Sequence, residues 1–513
     1  MKLSDLFSAA SVSAQMRDGE AEVTSIAIDS RQAQPGALFV CMPGTTNDSH
    51  AFLPDAAAKG AVAALVWSKE GFEAAKSAGL AAALLPQDRI EFNEAIWRLC
   101  DVFFDHPTRN MKVVGVTGTN GKTTTAWLIR DMLSALGVKA GYIGTLGFQI
   151  PGEERELSNT TPFAVELYNL LAEARDKGVE ALAIEVSSHA LAERRADGIE
   201  FDAAVFTNLT QDHLDFHGTM EDYEAAKRRL FEDLPQQTAK KFVGAANLSD
   251  PVGRRWVAEI ESVFGYGNDS DDDMATLIGK AEEVAIDHVT LRLGALGQAD
   301  ATGTAPLGGD YNFWNLLSAS AGLLALQKAC GLFKESQTVL DLIANLFKEV
   351  RPVPGRFESV RNDQGIGVLV DYAHTPDAVE KLLDAVKPLT KGRVITVFGC
   401  GGDRDRTKRP KMAKAASERS DLTVVTSDNP RTEDPQEILN EVLTGIVSGR
   451  ESVDIIDRRE AIAYAVGAAK PGDVVVIAGK GHENYQIIGR TKYPMDDREM
   501  AREALATLSG STQ

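Results

Sequence analysis

The chain has 513 residues, 44% hydrophobic and 25% charged, with Lys plus Arg at 54, Asp plus Glu at 74 and a net charge of −20. That length implies about three domains at roughly 150 residues each, and the composition is that of an ordinary globular protein. The acidity, with no basic stripe, argues against nucleic-acid or anionic-membrane partners, and no run approaches the roughly 18 apolar residues of a membrane span.

The first residues, Met1-Lys2-Leu3-Ser4-Asp5, carry acid early and are not expected to form a secretory signal. Residues 1–107 are Ala-rich, with short apolar runs at 37–40 and 61–66, and the stretch Asp105-His106-Pro107-Thr108-Arg109-Asn110 reads as a linker, because Pro107 disfavours helix just before it. From Lys112 strand and helix patterns alternate. Strands are expected at 113–116, 179–186 and 201–207, and helices from Lys122 to about 136 and from Thr219 to about 234. The polar stretch from Asn268 to Asp273 reads as a surface loop, and Arg351-Pro352-Val353-Pro354-Gly355 as a second linker. The alternation then restarts, with strands at 367–371, 393–398, 422–426 and 473–478 and a helix from about Pro376. Such alternation implies α/β folding with mainly parallel sheets covered on both faces. The four cysteines, Cys41, Cys100, Cys330 and Cys400, lack metal-ligand spacing and are expected to be reduced thiols.

The run Thr117-Gly118-Thr119-Asn120-Gly121-Lys122-Thr123-Thr124 joins a strand to a helix. Glycines there let backbone N–H groups converge on phosphate oxygens, and Lys122 adds a mobile charge. Thr123 would offer its hydroxyl to Mg²⁺. The general pattern G-x-x-x-x-G-K-[ST] is not met, since Val116 stands where its first glycine belongs. Glu185 ends an apolar strand and His213 follows another, where open sheets bind ligands; Glu185 suits Mg²⁺ better than an imidazole does. By spacing alone both could be solvated strand ends, and Lys227 a helix-surface lysine paired with acids one turn earlier. Arg404 and Arg431, each at a strand end, could meet across one crevice with Glu483, two guanidiniums for carboxylates and one carboxylate for an ammonium. The plainer reading is a surface salt-bridge network.

Together these runs, with Glu185-Val186-Ser187-Ser188-His189, Tyr223-Glu224-Ala225-Ala226-Lys227, Asp371-Tyr372-Ala373-His374, Asp428-Asn429-Pro430-Arg431 and Gly479-Lys480-Gly481-His482-Glu483, resemble the Mur ligases of peptidoglycan synthesis, in that family's order and over nearly all of the chain. The resemblance implies a UDP-sugar domain at 1–107, a central P-loop-type ATPase domain at 108–350 and a Rossmann-like amino-acid domain at 351–513. It implies ATP and Mg²⁺ as cofactors, with ATP on Gly118, Thr119, Asn120, Gly121, Lys122, Thr123, Thr124, Asn312 and Arg356. Mg²⁺ would fall to Thr123, Glu185, His213 and Lys227, the last carrying a CO₂-derived carbamate, with Lys122, Glu185, His213 and Lys227 as the catalytic set. The UDP-sugar would meet Ser30, Thr45, Thr46, Asn159, Thr160, Thr161, Ser187 and Arg195. Diaminopimelate would meet Arg404, Asp428, Asn429, Pro430, Arg431, Gly479 and Glu483.

The implied reaction phosphorylates the γ-carboxylate of D-glutamate on UDP-MurNAc-L-Ala-D-Glu, after which the amine of meso-diaminopimelate displaces phosphate. The implied protein is cytoplasmic and monomeric, with no membrane or nucleic-acid partner. Two positions depart from the family's pattern: Asn47-Asp48-Ser49-His50 stands where relatives have Asp-Gly-His, and Glu193 replaces a glutamine beside the sugar nucleotide. An acid there would repel pyrophosphate unless it points away or a cation bridges it. The alternatives are L-lysine as the added amino acid, which Arg431 disfavours, a folylpolyglutamate synthetase, and a nucleotide-binding regulator without turnover.

Overall fold

The computed structural model describes residues 1–43, 48–269, 273–295, 299–333 and 338–510. The backbone divides into two compact units, residues 1–278 with 318–339, and residues 279–317 with 340–513.

The first unit opens with a five-stranded sheet of β1 (Met16–Asp18), β2 (Ser25–Ala27), β3 (Ala37–Val40), β4 (Ala63–Val66) and β5 (Ala81–Leu84) in the order β1-β5-β4-β3-β2. All neighbours are parallel except β1 and β5. The helix Arg89–Phe103, capped by the Asp88 carboxylate on the N–H groups of Ile90 and Glu91, ends before Pro107 as the sequence predicts.

Eight further strands follow: β6 (Lys112–Thr117), β7 (Ala140–Gly144), β8 (Gly147–Ile150), β9 (Glu153–Arg155), β10 (Ala181–Glu185), β11 (Ala203–Phe206), β12 (Val243–Asn247) and β13 (Val263–Asn268). They lie in the order β13-β12-β11-β6-β10-β7-β8-β9, and the six from β13 to β7 are parallel. β6 sits between β11 and β10, buried on both faces, which is why it reads as a near-continuous apolar run. The carboxyl ends of these three strands therefore stand side by side.

The helix expected at 219–234 is shorter, Met220–Arg228. Beyond it the chain continues in turns that bury Leu230 and Phe231, and the Arg229 side chain donates to Asp197 Oδ2 at 2.8 Å. Tertiary packing here overrides helical propensity.

The boundary between the units falls within β14 (Ala275–Val284). In the second unit β15 (Val289–Gly294) pairs antiparallel with β16 (Ala301–Ala305). Its main sheet holds β17 (Glu358–Ser359), β18 (Gly367–Asp371), β19 (Val394–Cys400), β20 (Leu422–Ser427), β21 (Ser452–Asp454) and β22 (Val474–Ala478), ordered β17-β18-β22-β19-β20-β21 and parallel apart from β17. Thr375 caps the helix Pro376–Val386, whose Pro376 occupies the first turn where a missing N–H costs nothing. A two-stranded hairpin, β23 (Tyr485–Ile488) and β24 (Thr491–Pro494), follows β22. The cysteines are free thiols, and no described helix is long and apolar enough to cross a membrane.

Candidate active site

In the first unit the chemistry gathers at the carboxyl ends of β6, β10 and β11. Gly118 has φ +148°, and a Cβ there would meet Thr207 Oγ1 at 1.9 Å, so only glycine lets the loop lie against the end of β11. Gly121 (φ +84°) opens the helix Lys122–Ala135. Thr119 N donates to Asn208 O (2.8 Å) and Asn120 N to Asn208 Oδ1 (3.0 Å), so the segment after β11 holds the loop in shape.

Two ammoniums converge on one carbonyl oxygen. Lys122 Nζ donates to Gly118 O at 3.0 Å and to Thr119 O at 2.9 Å, and Lys227 Nζ donates to Gly118 O at 2.9 Å. Lys227 is not the helix-surface residue that its spacing suggests: it is 1% exposed and lies 4.4 Å from the centre of the Tyr223 ring. Burial, and next the charge of Lys122, push its amine well below the usual lysine range. Glu185 is also buried rather than solvated. Its carboxylate accepts from Thr123 Oγ1 (2.9 Å), Thr145 N (2.8 Å), Thr145 Oγ1 (3.3 Å) and the Tyr142 hydroxyl. His213 adopts a left-handed backbone (φ +52°), is half exposed and faces Asp212 at 3.4 Å. Among the described residues no group of three or more His, Cys, Asp or Glu side chains stands together as a metal cage.

Thr161 Oγ1 donates to Glu185 O (2.7 Å) and accepts from Ser187 N (3.0 Å); Thr160 and Thr145 hydroxyls lie 3.1 Å apart. Arg195 donates to Thr161 O at 3.2 Å and stacks 4.0 Å over Phe163. Thr160, Thr161, Ser187 and Arg195 are thereby brought together beside Glu185, with Asn159 preceding them in the chain. Ser30 is buried in a 3₁₀ turn, Ser30–Gln32, capped by Asp29; Thr45 and Thr46 lie outside the described residues.

Glu193 has an unforeseen setting. It is buried, and its carboxylate takes Arg89 on one oxygen and Arg195 on the other, with Arg195 Nε at 2.8 Å. Asn93 Nδ2 donates to its backbone carbonyl at 2.9 Å. The bridging cations are thus two guanidiniums of this chain. Sequence spacing could not pair residues 89 and 193; only the packing of helix Arg89–Phe103 does so.

In the second unit a cavity of about 330 Å³ opens at the carboxyl ends of β22, β19 and β20. Its lining includes Arg404, Asp428, Asn429, Arg431, Gly479 and Glu483, together with Lys408 and His374. The two arginines and Glu483 therefore do face one crevice. Arg431 has a left-handed backbone (φ +52°), and its Nη1 donates to Gly402 O at 2.8 Å. The hairpin holds it there: Arg431 N donates to Ile487 O (3.0 Å) and Gly489 N to Arg431 O (2.7 Å). Asn429 Nδ2 donates to Glu483 Oε2 at 3.0 Å. Arg409, buried, donates to Glu433 (2.8 Å) and Glu441 (2.7 Å) and so links the helix Lys408–Arg419 to the segment after β20 and to the helix Pro435–Leu443. Asn312 and Arg356 also belong to this unit. Asn312 is buried and donates to Gly308 O at 2.8 Å, and the Arg356 guanidinium lies 4.9 Å over the Tyr372 ring.

The chain matches the Mur ligase family, catalytic domain over residues 22–102, the Mur ligase middle domain over 116–323 and the Mur ligase, glutamate ligase domain over 355–481. A UDP-N-acetylmuramoyl-L-alanyl-D-glutamate–2,6-diaminopimelate ligase of Gloeobacter violaceus is 46% identical over 94% of each chain. This chain belongs to the Mur ligase family. The like-named ligase of Geobacillus thermodenitrificans is 42% identical, over 95% of this chain and 96% of its own. A solved structure of a ligase of that name superposes with TM-score 0.67 at 32% identity, covering 95% of both chains. The mixed α/β architecture with mainly parallel sheets is that of the family.

Proposed function

We propose that the chain joins meso-2,6-diaminopimelate to the γ-carboxylate of D-glutamate in UDP-MurNAc-L-Ala-D-Glu, with ATP converted to ADP and phosphate. The γ-carboxylate oxygen attacks the γ-phosphorus and ADP leaves; the free amine then attacks the acyl carbon, and the tetrahedral intermediate expels phosphate. Phosphorylation supplies the leaving group that a carboxylate lacks, so the protein's work is alignment, charge neutralisation and exclusion of water.

The observation that carries the choice of amine is the crevice of the second unit. Arg404 and Arg431 line it with Asp428 and Glu483, a charge pattern that complements a zwitterion bearing an additional carboxylate. In the first unit, Lys122 and the N–H groups of the loop are offered to the ATP phosphates. Asn312 and Arg356 are assigned to the nucleotide. The UDP-sugar is assigned to Ser30, Thr45, Thr46, Asn159, Thr160, Thr161, Ser187 and Arg195. The divisions 1–107, 108–350 and 351–513 would carry the sugar nucleotide, ATP and amino acid in turn, and the matched segments lie within that division.

Mg²⁺ fits the donor set as a hard cation that keeps water and phosphate oxygens. Thr123 and Glu185 supply buried oxygens 2.9 Å apart, and His213 would add a nitrogen. When bound it neutralises phosphate charge. Lys227, with its depressed amine, suits carbamate formation: the lone pair bonds to CO₂, a proton leaves, and an anion replaces a cation. The protein is assigned to the cytoplasm as a monomer.

The test is phosphate release from ATP with UDP-MurNAc-L-Ala-D-Glu, comparing meso-diaminopimelate with L-lysine. Release dependent on diaminopimelate and weak with lysine supports the reading. Equal kcat/KM for both amines, or no release with either, rejects it.

A further inference from the structure

We propose that Lys480 is a positioning residue for the amino-acid pocket: its ammonium fixes the oxygens that receive the substrate's own ammonium. This rests on the assignment of that crevice to the amino acid.

Lys480 is fully buried, between Gly479 (φ +118°) and Gly481 (φ +53°). Its Nζ reaches Asn429 Oδ1 at 3.1 Å, Glu483 Oε2 at 3.2 Å and Asp428 Oδ1 at 3.4 Å. These oxygens come from two different places. Asp428 and Asn429 follow β20, and Glu483 follows β22, while β19 lies between those strands. One ammonium therefore spans the width of a strand and joins both walls of the crevice.

The set is closed by neighbouring bonds. Glu483 Oε2 also accepts from Asn429 Nδ2, Asn429 Oδ1 accepts from Ile487 N at 2.8 Å, and Gln486 Nε2 donates to Asp428 O at 2.7 Å. With the lysine in place, Asp428 and Glu483 carry one net negative charge between the three groups. That suffices to attract an incoming ammonium without two bare carboxylates repelling one another. Without it, the carboxylates lose their shared counter-ion, and Glu483 Oε2 is held by the Asn429 amide alone against the repulsion of Asp428. Lys480 does not line the crevice itself, so its effect on substrate passes through these partners.

The experiment measures kcat and the KM of each of the three substrates for Lys480→Met, Lys480→Arg, Glu483→Gln and Arg431→Ala, with thermal unfolding of each. Lys480→Met is expected to raise the KM for diaminopimelate at least tenfold while the KM values for ATP and the UDP-substrate stay within about twofold, and Lys480→Arg to recover part of the loss. An unchanged diaminopimelate KM, or equal changes in all three KM values, overturns the proposal. Should Lys480→Met fail to fold, Lys480→Arg decides: a selective rise in diaminopimelate KM supports positioning, and a wild-type or uniform profile overturns it. If Glu483→Gln and Arg431→Ala also leave the diaminopimelate KM unchanged, the pocket assignment itself falls. If they raise it and Lys480→Met does not, only the role of Lys480 falls.

Discussion

Replacing Arg431 by alanine isolates one guanidinium with little disturbance around it. The backbone there is left-handed, and both arginine and alanine carry a Cβ, so the strain of φ +52° is common to wild type and variant and cancels. The clamp on the turn is main-chain, through Ile487 O and Gly489 N, and survives the substitution. What disappears is the bond to Gly402 O at 2.8 Å and the planar fork offered to the substrate's distal carboxylate. Hydrogen bonds to a charged group contribute about 1.5–3 kcal/mol, and a bidentate fork reaches the upper end of that range. At about 1.4 kcal/mol per factor of ten, kcat/KM for diaminopimelate should fall on the order of 100-fold. L-lysine has no carboxylate for the fork to meet, so its kcat/KM should stay within about threefold of wild type, and the discrimination between the two amines should collapse. Arg431→Lys, a point charge without the fork, should fall between. The assay is coupled phosphate release with each amine varied at saturating ATP and UDP-substrate. A variant that keeps the wild-type ratio of the two kcat/KM values refutes the argument.

Glu193→Gln leaves Arg195 without its counter-charge and turns one of the two accepting oxygens into a donor, so the KM for the UDP-substrate should fall severalfold while the melting temperature drops by several degrees, on the order of 1–3 kcal/mol for a buried donor left without its acceptor; unchanged values of both would reject the role of the Arg89–Glu193–Arg195 cluster. Lys227→Met should cut turnover at least about 100-fold, and wild-type activity should fall in CO₂-depleted buffer and return with bicarbonate; indifference to bicarbonate would reject the carbamate. Burial, and next the charge of His189, push His217 down from 6.5 to about 4. A folded value below the unfolded one means that this group's contribution to stability is whole above pH 6.5 and is lost as pH falls toward 4. The melting temperature should drop over that interval, and the drop should shrink in His217→Asn; equal slopes would refute the assignment.

Much of the fold was legible because buried parallel strands write themselves as apolar runs: β18 occupies the residues expected of it, and the helix beginning at Lys122 ends within one residue of expectation. The loop between β6 and the helix Lys122–Ala135 was legible for a related reason, since its glycines and lysine lie close together in the chain. Glu185 and Lys227 were visible as residue types, but their burial was not, because it depends on Tyr142, Thr145 and Tyr223 arriving from elsewhere. Arg195 lies two residues from Glu193, but Arg89 and Asn93 lie 104 and 100 residues away, and no local pattern encodes those two partners. Lys480 stood inside a quoted run, Gly479-Lys480-Gly481-His482-Glu483, and its two flanking glycines were the available signal of a tightly packed lysine. The hairpin behind Arg431 was missed because short exposed strands carry little apolar periodicity.

Two buried lysines show how much of the chemistry is set by surroundings rather than residue type. Lys227 meets a single backbone carbonyl that it shares with another ammonium, and burial drives it toward the neutral amine, the form that can bond to CO₂. Lys480 meets three side-chain oxygens, two of them carboxylate, which complement a cation and leave its nitrogen no open approach. The first environment favours a neutral amine, and the second holds a cation among acceptors. Arginine tells them apart. It is always charged, offers several donors and cannot form a carbamate, so it should stand in for Lys480 in part, and it should not restore activity at Lys227 if the proposed carbamate forms there.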